Sequence, residues 1–350
     1  MNYWKDENSS VTRADDRSSG RHLPTRTATI DFASVTVDIS QIEMYRPALT
    51  GHCYRMLGSV FDADDAVQET MIRAWKSLES FDGRSTLKTW LYRIATNVCL
   101  DELKKRGRRA RPVDEGAASS GAPPLESLTQ QPQEYWIEPI LDTQVVSNDA
   151  SPAEQVVQRQ SVRLAFIAAL QNLAPRQRAA LLMTEVLGCS AAEVAETLET
   201  SVPSVNSALQ RARATLAKRS EEQPVSLTAA QQGMLRRYVT AFEQYDVAGL
   251  TALMREDVTL CMPPYELWLR GPEEIQTWML GLGSGCRGSR LFPTSASGWP
   301  AFVQYRPNPE GGHKAWGLIV LELEGDRIAG VTTFLDTERL FPRFGFGMTV

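Results

Sequence analysis

The feature that most restricts this chain is a reversal of charge across one irregular stretch. From Arg84 to Arg111 nine Arg and Lys stand against Asp101 and Glu102, a surplus of seven positive charges. From Pro112 to Ser161 eight Asp and Glu stand against Arg159, a surplus of seven negative ones. The net charge of all 350 residues is only -5, so no single field draws the molecule to a polyanion, and the blocks carry the information. Residues 112–150 are rich in Pro, Ala, Ser and acid and keep neither helical nor strand period, which reads as a linker. A chain of this length already exceeds one typical core, so separate units are expected on either side. Inside the linker, "EYWIEPILD" (Glu134 to Asp142) is apolar enough to dock on a neighbour.

On the N-terminal side, residues 1–38 read as a disordered tail and 39–111 as helices broken at "SVFDADD" and "SFDGRST". In "DADDAVQETMIRAW", Val67, Met71, Ala74 and Leu78, with Trp75 beside them, form a stripe for burial. The opposite face carries Asp64, Asp65, Gln68, Glu69 and Arg73, so it is either solvated or a docking surface. The basic block follows. Leu87, Leu91, Ile94, Val98 and Cys99 supply its core face, leaving Lys88, Arg93, Lys104, Lys105, Arg106, Arg108, Arg109 and Arg111 for water or phosphate. Trp90 and Tyr92 are suited either to packing or to stacking on unpaired bases.

The acidic linker spans 112–157. Ser151, Pro152 and Glu154 mark a capped helix start, and 158–220 read as a domain of four helices with short turns. Within it, "CSAAEVAETLETSVPSVNSALQRARATLAKR" has the layout of a helix-turn-helix. Ser190 and Glu193 cap the first helix, and Val194, Leu198, Val202, Val205, Leu209 and Leu216 pack. The second helix presents Ser201, Ser204, Asn206, Ser207, Gln210, Arg211 and Arg213. Its N-terminal polar residues suit base edges in a major groove, and the arginines suit phosphates. An ordinary capped helical hairpin would show a similar pattern.

A short linker at 221–227 leads into 228–350, where the pattern changes to α+β. "TAAQ" (Thr228 to Gln231) caps a long helix through Phe242, and a short helix follows Asp246. "DVTLCM", "GWPAFVQYR", "KAWGLIVLELEG" and "RIAGVTTFLD" have strand character, with a hairpin turn at Glu324 to Asp326. The five cysteines form no C-x-x-C pair, which points to free buried thiols rather than a disulfide framework or zinc site. No stretch reaches the ~20 apolar residues of a membrane span, no signal core opens the chain, and a cytoplasmic location is expected.

"DADDAVQETMIRAW", "FDGRSTLKTWLYRIATNVCLDELKKRGRR" and "LAPRQRAALLMTEVLGCSAAEVAETLETSVPSVNSALQRARATLAKR", in this order, resemble the extracytoplasmic-function sigma factors of the sigma-70 family. "HCYRMLGS" and the aromatic island resemble the branch that carries a C-terminal SnoaL-like, NTF2-like domain. The resemblance implies two all-α domains, sigma region 2 (39–111) and a helix-turn-helix region 4 (158–220), followed by an α+β cone with a curved mixed sheet (228–350). It implies a non-enzymatic subunit that binds core RNA polymerase and promoter DNA, with no cofactor, metal or membrane. Asp64, Asp65, Gln68, Glu69 and Arg73 would then meet the clamp helices of the polymerase β′ subunit. Arg84, Lys88, Trp90, Arg93, Asn97, Arg106 and Arg108 would bind and open the −10 element, and the seven residues from Ser201 to Arg213 would read the −35 element. The acidic linker would run along the RNA-exit path past the β subunit, and the cone would tune activity.

A cone of this type could instead bind or convert a small molecule, which needs a carboxylate or imidazole in an apolar pocket. Asp257, Glu266, Asp336 and His313 are the candidates, and no dyad stands out among them. Tyr265, Trp268, Trp278, Trp299, Trp316 and Phe334 could line a pocket or fill a core. A free-standing helix-turn-helix repressor is the weaker reading, because it leaves the early helix and the basic block without a role.

Overall fold

The computed structural model describes residues 39–81, 83–119, 127–145, 151–216 and 227–350. The tail and all but Leu227 of the short linker lie outside the described residues, as does the side chain of Glu154 at the expected cap.

Region 2 consists of α1 (Ile39–Glu43), α2 (Arg46–Leu57), α3 (Val60–Lys76) and α4 (Leu87–Lys105). The break expected at "SVFDADD" shrinks to Gly58 and Ser59. Gly58 takes the left-handed φ of 72°, which glycine adopts without strain, and Ser59 caps α3 by accepting from the Asp62 N–H at 3.1 Å. The helical core comes from the expected period: Val67, Ala74, Leu91, Val98 and Cys99 are buried. Trp75 corrects the expectation. It is 63% exposed and lies beside exposed Ile72, because it falls off the stripe that faces α2 and α4.

Beyond the linker come α5 (Pro152–Gln160), α6 (Leu164–Gln171), α7 (Pro175–Leu181) with a π-helical turn over Leu182–Val186, α8 (Ala191–Thr197) and α9 (Val202–Leu216). Ser190 and Glu193 form the reciprocal cap of α8. Val194, Leu198, Val205 and Leu209 are buried as expected, but Val202 is 39% exposed because it opens α9 at the turn.

The C-terminal unit begins with α10 (Ala229–Gln244), capped by Thr228 and Gln231, and α11 (Val247–Thr251). α12 (Pro272–Leu280) and α13 (Thr337–Arg343) complete its helices. Its strands are β1 (Met254–Cys261), β2 (Trp268–Arg270), β3 (Arg290–Ala296), β4 (Trp299–Pro307), β5 (His313–Glu324) and β6 (Arg327–Phe334). They make one sheet in the order β2-β1-β6-β5-β4-β3, antiparallel except for the β1–β6 pair. The hairpin at Glu324–Arg327 is where the sequence places it. The short β2 and the edge strand β3 escaped the sequence reading. Pro293 breaks the strand signature of β3, yet an edge strand tolerates it.

Both faces of this sheet are apolar. Phe302, Ile319, Leu321, Ile328 and Val331 pack under α10, α11 and α12 in one buried cluster. Ala301, Val303, Tyr305, Leu318, Val320 and Phe334 face the other way and join α13, the linker island and the helices of regions 2 and 4 in a second cluster. β4 and β5 therefore read as almost continuous apolar runs rather than alternating ones.

In α2, His52 is fully buried against the edge of Tyr92 and bonded through Nε2 to Thr96 Oγ1 at 3.0 Å. Burial, and then the nearby Arg55, hold its imidazole down at about 3 against an ordinary 6.5. The unfolded chain takes up a proton below pH 6.5 that the folded chain refuses, so stability falls as pH drops from 6.5 towards 3. Between pH 7 and pH 5 we expect this site to cost the parent on the order of 2 kcal/mol, a loss His52→Asn will not show, measured by urea unfolding of both proteins.

Candidate nucleic-acid and polymerase interface

α3 displays its polar residues along one side. Asp65, Gln68 and Arg73 are exposed and Glu69 is partly exposed, with the Glu69–Arg73 pair closed at 2.7 Å one helical turn apart. Exposed Ile72 and Trp75 run along the same side, giving an amphipathic strip rather than a purely solvated one. Asp64 is set apart from the other four. Its carboxylate meets Arg343 of α13 at 2.6 Å, and one turn earlier Phe61 lies under the guanidinium of Arg339 at 3.7 Å. Arg339 also reaches Glu138 at 3.3 Å and Asp336 at 3.1 Å. The last helix of the cone thus rests on the first turns of α3.

The basic block is largely engaged inside the molecule. Arg106 pairs with Asp62, and Arg108 with Glu115 and Asn172. Arg109 is buried, bonded to Asp62 at 2.7 Å and to the Trp136 carbonyl at 2.8 Å. Arg111 bonds Asp114 at 2.9 Å and lies 3.6 Å from Glu322 of β5. Arg109 and Arg111 are therefore structural anchors and not open phosphate ligands. Lys88 is exposed at the start of α4, and Arg84 is exposed just before it. Trp90 is half-buried, tilted against Phe81 at 5.1 Å, and Asn97 is half-buried further along α4. Tyr92 is buried in the core, so it offers no stacking face.

α9 and Ser201 just before it turn all of their candidate residues outward. Ser201, Ser204, Asn206, Ser207, Gln210, Arg211 and Arg213 are exposed, while Val205, Leu209 and Ala212 hold the helix to its domain. Arg213 pairs with Glu185, and Arg93 of α4 pairs with Glu196 of α8 at 2.6 Å.

Regions 2 and 4 are bolted together beneath these surfaces. Arg178 of α7 is only 2% exposed. Its guanidinium donates to the Met56 carbonyl at the end of α2, to Gln171 Oε1 at 2.8 Å, and to the Gln171 and Leu173 carbonyls at 3.3 Å each. Burial pulls its pKa down to about 10, which still leaves it charged at neutral pH. Arg55 of α2 reaches back to Ser161 at 3.0 Å.

The linker island is a third bolt. Trp136, Ile137 and Ile140 are 0–1% exposed. Ala110 N–H donates to the Tyr135 carbonyl and Ile137 N–H to the Ala110 carbonyl, each at 2.9 Å, and Trp136 Nε1 donates to the Pro264 carbonyl of the cone at 3.0 Å. The turn Ser297–Gly298 between β3 and β4 enters from the other side, where Ser297 N–H donates to the Ile140 carbonyl and Gly298 N–H to Asp142 Oδ1. A Cβ on Gly298 would meet the Arg159 carbonyl oxygen at 2.3 Å, so only glycine fits. The sequence hinted at this docking through the apolar island, but nothing in it marked Arg178.

The four acid–base candidates are scattered. Asp257 is exposed and paired with Arg255, Glu266 bonds Gln131 at 2.6 Å, Asp336 pairs with Arg339, and His313 lies on the surface against the Gly288 carbonyl. None lines the cavity inside the cone.

Comparison with known proteins fits this layout. The family model "Sigma-70 region 2" matches residues 41–109, and "Sigma-70, region 4" matches 163–216. The ECF RNA polymerase sigma factor SigG of Mycobacterium tuberculosis (strain ATCC 25618 / H37Rv) is 44% identical over 312 residues, covering 87% of this chain and 82% of that one. SigJ of the same strain is 26% identical over 291 residues, covering 79% and 84%. The crystal structure of Mycobacterium tuberculosis SigJ shares the fold with a TM-score of 0.56 at 19% identity, covering 89% of this chain and all of that one.

An exposed ion pair and a buried guanidinium bonded to carbonyls test the bolting. Glu196→Gln, which removes an exposed pair, is expected to change stability by about 0.5 kcal/mol or less. Arg178→Met orphans carbonyls from both regions and is expected to cost roughly 3 kcal/mol, read by chemical denaturation.

Proposed function

As the chain belongs to the extracytoplasmic-function RNA polymerase sigma factors of the sigma-70 family and so directs promoter-specific transcription initiation, we propose that the arrangement described here is a closed form held by the C-terminal cone. The observation that carries this reading is the single buried cluster joining region 2, region 4 and the outer sheet face. Two regions that serve separate promoter elements cannot adjust their spacing while they share one core with a third unit.

In the working form, the strip of α3 with Asp65, Gln68, Glu69 and Arg73, flanked by Ile72 and Trp75, meets the β′ clamp helices. Asp64 joins it once Arg343 lets go. Arg84, Lys88, Trp90, Arg93, Asn97, Arg106 and Arg108 engage the −10 element, with Arg106 and Arg108 exchanging Asp62 and Glu115 for phosphates. The residues of α9 from Ser201 to Arg213 read the −35 element. The acidic linker leaves the cone and follows the RNA-exit path. Arg106 and Arg108 each trade an internal carboxylate for an external anion, which keeps the closed and working forms close in free energy.

The test loosens α13 without touching the DNA-reading residues. Arg339→Ala with Arg343→Asp removes two contacts to α3 and sets like charges at Asp64. Transcription at limiting factor is expected to rise about fivefold, the effect of ~1 kcal/mol on the opening equilibrium. Equal output from both proteins at every factor concentration would overturn the closed-form reading. Asp65→Lys with Glu69→Lys is expected to weaken binding to core polymerase by at least ~10-fold, measured by fluorescence competition.

A further inference from the structure

The cone encloses a cavity of about 250 Å³ that no part of the promoter or polymerase interface uses. A dry cavity of ~150 Å³ already holds a benzene ring, so this one accommodates one or two fused rings. Its walls are made for flat molecules: Tyr238, Phe242, Tyr265, Trp278 and Trp316 line it. Among the described residues that line it, Arg306 is the single charged side chain. Its guanidinium lies flat on the Trp316 ring at 3.2 Å, its one hydrogen bond among the described residues goes to the Cys286 thiol at 2.9 Å, and its buried Nε has no acceptor. With a thiol as its hydrogen-bond partner and a ring against its face, this guanidinium keeps donors that a carboxylate could accept.

One wall residue belongs to another part of the molecule. Leu128 of the linker between regions 2 and 4 lines the same cavity. The following residues are stitched to the cavity's rim: Glu266 N–H donates to the Thr129 carbonyl at 2.9 Å, Gln131 N–H to the Pro264 carbonyl at 3.0 Å, and Gln131 Nε2 to Glu266 at 2.6 Å. Gln130 bridges to Tyr265, itself a lining residue.

We propose that the cone binds a flat, mostly apolar acid of one or two rings, with its carboxylate on Arg306 and its ring taking the space of Leu128, so that binding frees residues 127–131 of the linker. Occupancy then reports to regions 2 and 4 through the segment that joins them. This last step rests on the closed-form reading, whereas the site itself does not.

The experiment titrates the full chain by calorimetry with benzoate, 2-naphthoate and indole-3-carboxylate, each beside its uncharged carboxamide. Saturable binding of at least one acid is expected, preferred over its amide by about tenfold, the worth of one charge-assisted pair. Arg306→Met should erase that preference while keeping the parent's melting temperature and amide affinity. Leu128→Ala, at a linker residue that packs against the cone's core from outside its sequence, should tighten acid binding, and Leu128→Trp should abolish it. Hydrogen exchange at the Gln131 and Glu266 amides should quicken when the acid is bound. No saturable binding up to millimolar acid, or binding indifferent to both Arg306 and Leu128, overturns the site. Binding without faster exchange overturns the release of the linker. Transcription is not the readout, so failure of the closed-form reading stays separate from failure of the site.

Discussion

A curved sheet with two apolar faces has to be covered twice. Here α10, α11 and α12 cover the inner face, and the outer face has only α13 of its own. The remaining outer surface is buried by the linker island and by the helices of regions 2 and 4. At ~25 cal/mol per Å² of apolar surface, a buried Trp136, Ile137 and Ile140 alone contribute several kcal/mol to this junction. The C-terminal unit is thus not tethered beside regions 2 and 4; it completes their core.

The polar contacts follow from that packing. Once the island and the Ser297–Gly298 turn are pressed between α2 and β4, every carboxylate and backbone group caught there needs a partner. Glu138 receives Ser59 and Arg339, and Tyr54 donates to the Glu138 carbonyl at 2.8 Å. Asp142 accepts from Gly298, yet burial still pushes its carboxyl up to about 6. Arg109 closes on Asp62. The opposed charge blocks on either side of Arg111 meet inside the fold, where basic residues of one stretch bind acids of α3 and of the linker. A modest net charge is the outward sign of that internal pairing.

The sequence carried the fold class because its evidence is local. Capping boxes at Ser190 and Thr228, the 3.6-residue period of α3, α4 and α9, and the strand runs of β4 to β6 are each written in a few neighbouring residues. The outward-facing residues of α9 were legible for the same reason. What escaped was set by partners distant in sequence. Trp75 lies next to the stripe in sequence, and only the position of α4 shows that it points away. Arg109, Arg111 and Tyr92 looked available to nucleic acid, but their partners are Asp62, Glu322 and His52, from 40 to more than 200 positions away. β3 was hidden by Pro293, whose meaning depends on the strand being at an edge.

The shared core also has an order of assembly. Regions 2 and 4 are complete at Leu216, whereas Phe334, Leu340 and Phe341, which finish their hydrophobic cluster, are made more than a hundred residues later. At ~5–20 residues per second, a ribosome needs on the order of ten seconds to supply them. During that interval the nascent helices are without their cover. The outer sheet face and α13 can therefore pack against helices that were made well before them.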